Sequence, residues 1–243
     1  MALMNALPLL AEIKQALEDL VKKGEPYAIY SNKLPTTLED RYFLQEVLGK
    51  GEWFMYEKVP HTKAVAFNAE VPGVWIEVFF SERDPNEPIL EVVAVDFTPP
   101  TFTFPVEDLK EGIKKFEEDL RRFETRLTPF AFEVAELYRK TPEGKSFTPE
   151  DPKGVENLVY HLLAEGELVL ENKRSGQKIV STVYPGIWVE YDREEKPVRL
   201  HLGAFPPAAR PSPERVKEAP RILEERKQRF LPKYEKRVDL PLL

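Results

Sequence analysis

Three histidines, His61, His161 and His201, and no cysteine make up the imidazole and thiol groups of this 243-residue sequence. No two of the histidines stand at a metal-binding spacing such as His-x-x-x-His. A shared site would need three distant segments to converge. The absence of cysteine excludes disulfides, a thiolate nucleophile, a cysteine-ligated zinc site and a cysteine-held iron–sulfur cluster. Carboxylates recur in matched pairs, Glu52 with Glu167 and Glu77 with Glu190. Such pairs could work as an acid–base dyad, but strand-end solvation and cross-strand pairing with Lys or Arg are the commoner uses. There is no Gly-x-Ser-x-Gly, no phosphate-binding glycine loop and no dinucleotide fingerprint. The expectation is a protein that is not an enzyme, with no catalytic residues, no metal and no cofactor.

Composition narrows the partners. The chain carries 35 basic and 42 acidic residues, a net charge of −7, which argues against nucleic acid and anionic membranes. With 42% hydrophobic and 11% aromatic residues it can bury a core. No apolar run reaches the length of a membrane span. The first ten residues are apolar but lack a basic leader, so a cytoplasmic location is expected. High proline, high charge and no cysteine lean towards a thermophile-like composition. Between Arg221 and Arg237, seven basic residues stand against three acids. That run is a solvated helix face or an arm for an acidic partner. The remaining acidic body could attract a basic peptide.

The sequence repeats itself. Val71-Pro72-Gly73-Val74-Trp75-Ile76-Glu77 returns as Tyr184-Pro185-Gly186-Ile187-Trp188-Val189-Glu190, 113 residues on. Gly51-Glu52 returns as Gly166-Glu167, 115 residues on. Trp occurs only three times, so two at one register point to duplication. The copies are assigned to 1–126 and 127–243. The two-residue difference is placed in a longer hairpin tip, around His61, in the first copy. Pro-Gly at a strand entry makes a bend. The Trp beyond it either anchors a core or shows its indole to a partner, and its place in an alternating strand favours the anchor.

Each copy follows one plan. Leu9, Leu10, Ile13, Leu17 and Leu20 predict a helix ending near Lys23-Gly24. A short strand is expected at 27–30. Thr37-Leu38-Glu39-Asp40 reads as a capping box opening a helix to Leu48. Strands are expected near 52–59, 63–70, 73–80 and 89–97. Pro105 opens a long helix with a seam of Leu109, Ile113, Phe116, Leu120, Phe123 and Leu127. In the second copy Thr128-Pro129 predicts a capped helix. Another helix starts between Thr148 and Pro152. Ser175-Gly176 marks a hairpin turn. The strand near 198–202 alternates, putting Arg199 and His201 on a wet face. Ser212-Pro213 opens a last helix that Pro220 should kink or break. The predicted class is α+β: two tandem pseudo-symmetric repeats, each an antiparallel sheet with helices packed on one face.

Four motifs fall in a familiar order: Asn5-Ala6-Leu7-Pro8-Leu9-Leu10, Leu34-Pro35-Thr36-Thr37-Leu38-Glu39-Asp40-Arg41, Leu48-Gly49-Lys50-Gly51-Glu52 and Pro72-Gly73-Val74-Trp75. The chain resembles the HupH/HyaF family of hydrogenase expression and maturation proteins, and Gly166-Glu167 with Tyr184-Pro185-Gly186-Ile187-Trp188 extends the likeness into the second copy. It departs from the family pattern at Val71, where Tyr is typical. In the second copy Phe147-Thr148-Pro149-Glu150-Asp151 stands where the Asp-Arg string would be. The resemblance implies a cytoplasmic, non-enzymatic accessory protein for membrane-bound uptake nickel–iron hydrogenases. Its implied role is to assist the iron–sulfur small-subunit precursor before export; nickel incorporation is a second role considered for the family.

The expected partner is therefore the small-subunit precursor, with another maturation accessory protein possible. Candidate partner-binding residues are Asp40, Arg41, Trp75, Tyr184 and Trp188, with Pro72, Gly73, Pro185 and Gly186 as the structural motif that presents them. Asp40 and Arg41 also fit a plain capping and solvating role. Two alternatives stand beside this one. A small-ligand protein or enzyme could use a cleft between the repeats, lined by Glu77 and Glu190. An adaptor could use the basic C-terminal helix as its arm.

Overall fold

A computed structural model describes residues 3–30, 35–58 and 63–235. The apolar positions of the first helix recur as expected, and Ala6–Lys23 forms α1. It stops at Gly24, whose φ of 69° is left-handed and whose N–H bonds to Leu20 O at 2.9 Å. Strand β1 follows at Tyr27–Tyr30 and helix α2 at Leu38–Leu48. The capping box is present: Thr37 Oγ1 accepts from Asp40 N–H, and Asp40 accepts from Thr37 N–H. Strands β2 (Trp53–Glu57), β3 (Ala64–Asn68), β4 (Val74–Phe80) and β5 (Pro88–Val95) lead to the long α3 (Val106–Arg122). The second half gives α4 (Phe130–Tyr138), α5 (Pro152–His161), β6 (Glu165–Asn172), β7 (Lys178–Thr182), β8 (Ile187–Tyr191), β9 (Pro197–Leu202), α6 (Pro213–Phe230) and a short α7 (Pro232–Glu235).

The chain divides into two compact units. The first comprises Met1–Glu52, Lys63–Pro100 and Pro211–Leu243; the second comprises Trp53–Thr62 and Thr101–Arg210. The predicted segments 1–126 and 127–243 thus each contribute to both units.

In the first unit the sheet runs β1-β5-β4-β3, all antiparallel. Alternation sends Val74 and Ile76 to one face, where they meet Leu10, Ile13 and Leu17 of α1, Phe43 and Val47 of α2, and Val216, Ala219 and Leu223 of α6. In the second unit the sheet runs β2-β6-β7-β8-β9, also antiparallel. Ile187, Val189, Leu200 and Leu202 pack against Phe116 and Leu120 of α3, Val134 and Tyr138 of α4, and Val155 and Leu158 of α5. Each unit is an antiparallel sheet with helices packed on one face, so the class is α+β.

The two sheets match in register. Trp75 faces Ala94 and Trp188 faces His201; Ile76 faces Phe67 and Val189 faces Val180. The Pro-Gly bends match as well. Asp96 N–H bonds to Gly73 O at 3.0 Å and Gly203 N–H to Gly186 O at 2.9 Å. The strand β1 has its counterpart in a single bridge, Phe147 to Leu202.

Three expectations change. The helix α6 runs unbroken through Pro220, because its buried row of Val216, Ala219 and Leu223 is fixed by the first unit's core. Thr128 does not cap α4: Ala131 N–H bonds to the main-chain Thr128 O at 3.1 Å, and among the described residues Thr128 Oγ1 is buried without a partner. His201 does not face water. It is 1% exposed, on a sheet face also covered by Phe104 and Phe205, whose rings lie 5.2 and 6.3 Å from that of Trp188.

The two bends depend on glycine. Gly73 and Gly186 have φ of 83° and 92°. A Cβ on Gly186 would lie 2.3 Å from Leu109 Cδ2, inside a packed core, whereas one on Gly24 would meet nothing within 4 Å. Gly24→Ala is expected to cost about 1 kcal/mol from its backbone angle alone. Gly186→Ala should cost about 2–3 kcal/mol, since strain and overpacking add. Urea denaturation of both variants checks the ordering.

Candidate functional site

Asp40, in the first turn of α2, is fully buried. Its Oδ1 accepts main-chain N–H groups from Met4 (2.9 Å), Asn5 (3.2 Å) and Ala6 (3.0 Å), and Oδ2 accepts that of Thr37 (3.0 Å). One carboxylate therefore satisfies orphan donors of two helices, α1 and α2. Burial pushes its pKa up, but the hydrogen bonds from Thr37, Ala6 and Asn5 outweigh that, and the net shift is downward from 3.8.

Trp75 and Trp188 are 1% and 0% exposed. Each indole Nε1–H donates to a main-chain carbonyl at 3.0 Å, Asp96 O for Trp75 and Gly203 O for Trp188. Tyr184, 2% exposed, donates its hydroxyl to Asp119 Oδ2 at 2.7 Å and meets the Phe116 ring edge-on at 5.1 Å. Burial and the Asp119 carboxylate both raise its pKa. The Pro185 carbonyl accepts from the Tyr138 hydroxyl. Asp40, Trp75, Tyr184 and Trp188 are thus closed to direct partner contact in this structure. The reason is physical: each polar atom that a partner would use is already bonded inside its own unit. Pro72, Gly73, Pro185 and Gly186 form the bends that put the indoles there.

Arg41 differs. It is exposed, with Nε donating to Thr36 Oγ1 at 3.2 Å. It belongs to an outward stripe of α2 that the sequence reading missed: Leu38, Arg41, Tyr42 and Gln45, at spacings that share one helix face. Leu38 is 60% and Tyr42 53% exposed. The signal was available, since two apolar residues four apart stand opposite the buried Phe43 and Val47. The stripe runs into a groove lined by Tyr42, Gln45, Glu46, Lys233 and Tyr234. Lys233 Nζ and Tyr234 OH donate to the two oxygens of Glu46 at 2.9 and 2.8 Å, and these bonds hold its pKa down. The groove offers two aromatic rings around a polar centre, with Arg41 and Leu38 beside it.

The basic C-terminal run is largely engaged within the first unit. The Arg226 guanidinium donates to the Glu46 carbonyl at 2.9 Å and the Val47 carbonyl, closing the C-terminal end of α2, and pairs with Glu70. Lys227 pairs with Glu224 at 2.7 Å. Lys236 and Arg237 lie outside the described residues, as does His61.

The paired carboxylates belong to different units. Glu77, 3% exposed, is in the first unit; Glu190, 8% exposed, is in the second. Glu190 Oε2 meets His201 Nε2 at 2.7 Å and Arg199 Nη1 at 3.4 Å, and His201 Nδ1 lies 3.3 Å from Thr148 Oγ1. Burial raises the Glu190 pKa, but His201 and Arg199 more than reverse it, so its carboxyl is held ionised rather than poised as an acid. Glu52 is half-buried and Glu167 exposed. His161 stacks edge-on with Tyr160 at 4.8 Å. Among the described residues no three acidic, His or Cys side chains cluster as a metal site. No helix there is long and apolar enough to cross a membrane.

Fold and site together define an α+β protein with an aromatic, ion-paired groove beside the C-terminal half of α2. Residues 3–123, which include α2, match the family described as "HupH hydrogenase expression protein, C-terminal conserved region". The chain belongs to the HupH family of hydrogenase expression proteins. It is 29% identical over 118 residues to the hydrogenase expression/formation protein HoxQ of Azotobacter vinelandii, covering 48% of this chain and 41% of that one. It is 28% identical, over 48% of this chain and 40% of the relative, to HupQ of Azotobacter chroococcum mcd 1. The match therefore spans about two fifths of the length of these relatives. The solved structure of the hydrogenase expression protein HupH from Thiobacillus denitrificans ATCC 25259 aligns with 50% of this chain and 99% of its own. Its identity is 26% and its TM-score 0.43.

Asp40→Ala removes the acceptor of four main-chain donors and should cost about 2–4 kcal/mol, measured by urea denaturation. The pH dependence follows from the lowered pKa. The carboxylate's contribution is complete above the unfolded value of 3.8 and is lost as pH falls through the folded value. The wild type should lose this increment on acidification below about pH 4, and the variant should lack it.

Proposed function

We propose that this protein is a hydrogenase maturation accessory factor of the cytoplasm that binds the iron–sulfur small-subunit precursor of a membrane-bound uptake nickel–iron hydrogenase before export. It acts by binding, without chemistry or a cofactor of its own. The observation that carries the reading is that the family match at 3–123 includes the exposed α2 face formed by Leu38, Arg41 and Tyr42. Large apolar and aromatic side chains bordered by charge suit a transient protein contact. Arg41 and the groove tyrosines are the anchors, since Arg and Tyr are enriched among residues that dominate binding energy. Asp40 fixes the start of the helix that carries this face, and neither it nor the buried tryptophans make contact with the client.

Size-exclusion chromatography of the protein mixed with the cognate small-subunit precursor tests this, with the mature form lacking its signal peptide run alongside. Co-elution with the precursor is expected. The Arg41→Glu/Tyr42→Ala variant should weaken it at least about tenfold, since two anchors are lost. Its Tm should stay close to the wild type, because both side chains are exposed. Failure of the wild type to co-elute with either form would overturn the proposal.

A further inference from the structure

The pairing of β2 with β6 is self-complementary. Trp53 faces Asn172, Phe54 faces Glu171, Met55 faces Leu170, Tyr56 faces Val169 and Glu57 faces Leu168. The Gly-Glu pairs before these strands, at Gly51-Glu52 and Gly166-Glu167, make 53 the counterpart of 168, 55 of 170 and 57 of 172. So 53 meets the counterpart of 57, 57 meets the counterpart of 53, and 55 meets its own counterpart. A ladder in which i contacts j, j contacts i and one residue meets itself is the pattern of a two-fold, isologous contact.

The closing helices agree with that pattern. Helix α6, from the second half of the sequence, packs in the first unit; α3, from the first half, packs in the second. The buried positions coincide at a spacing of 107 residues: Leu109 with Val216, Gly112 with Ala219, and Phe116 with Leu223. The smaller Gly112 is offset by the larger Phe116, so α3 has the apolar row and comparable bulk for the place that α6 takes. We infer that residues 1–126 carry a self-complementary edge in β2 and an exchangeable closing helix in α3. The partner this half fits is a second copy of itself, and the 243-residue chain is such a pair joined head to tail.

The test starts from the whole protein. A protease site is inserted at Thr125, in the exposed segment Glu124–Arg126. Two batches carrying different N-terminal tags are cleaved, mixed, unfolded in urea and refolded together. First-with-second-half pairs carry one tag; mixed pairs of first halves carry both. The expected result is a two-tag species within about tenfold of the one-tag species, eluting near the intact 28.1 kDa protein. Co-expression of the two tagged first halves reads the same species without a refolding step. The chain has no cysteine, so register can be read directly. Met55→Cys should cross-link the two-tag pair on oxidation and Phe54→Cys should not, because only position 55 meets itself. Recovery of one-tag pairs without two-tag pairs overturns the inference. So does a two-tag pair that cross-links through 54 rather than 55, or cleaved halves that separate before urea is added.

Discussion

An indole N–H held on a main-chain carbonyl sets the frame of each unit. Trp75 reaches Asp96 O and Trp188 reaches Gly203 O, both at 3.0 Å. Each bond ties the middle of a sheet to the residue where its last long strand is left behind. The Pro-Gly bend makes this possible by admitting a backbone angle that other residues avoid and by bringing Gly73 O and Gly186 O onto the same two segments. Leaving either N–H buried and unbonded would cost more than the bond itself contributes. The direction in which the chain departs towards α3 or α6 is therefore fixed at one point, and the closing helix inherits its place from it.

Asp40 performs the corresponding task for the helices of the first unit. A single carboxylate ends two rows of unsatisfied donors, so α1 and α2 share one origin. That leaves the outer face of α2 free of structural duty. Phe43 and Val47 point inward, and Leu38, Arg41 and Tyr42 point outward from a helix locked at its start by Asp40 and at its end by Arg226. A recognition face on such a helix is preorganised, which lowers the entropy lost on binding.

Local signals carried much of the fold. The 3.6-residue period of Leu9 to Leu20, the Thr37–Asp40 box and the Ser175-Gly176 turn act over a few residues and predict α1, α2 and the β6–β7 hairpin directly. The repeated Pro-Gly-x-Trp motif located two matching bends and favoured buried indoles. What escaped was set by distant partners. Alternation put His201 among polar side chains, but Phe104, from far upstream, and Phe205, just past the strand, cover that face. Pro220 reads as a breaker only until the core that holds Val216 and Leu223 is known. The placing of α6 in the first unit and α3 in the second has no local trace, because the core that each helix joins is built from residues far away in the sequence. The outward stripe of α2 is hidden for a different reason: Leu38 and Tyr42 are ordinary helix residues, and only the packing of Phe43 and Val47 shows that they face outward.

The interleaving also has a consequence for synthesis. The core of the first unit needs Val216, Ala219 and Leu223, which leave the ribosome long after Leu10, Ile13 and Leu17. At roughly 5–20 residues per second, the apolar face of α1 waits on the order of 10–40 s for its cover. During that interval the nascent chain presents an unfinished core, whatever the final stability of the molecule. Vectorial emergence from the N-terminus cannot complete the first unit early, so the protein that resembles helpers of another protein's assembly has a long exposed stage in its own.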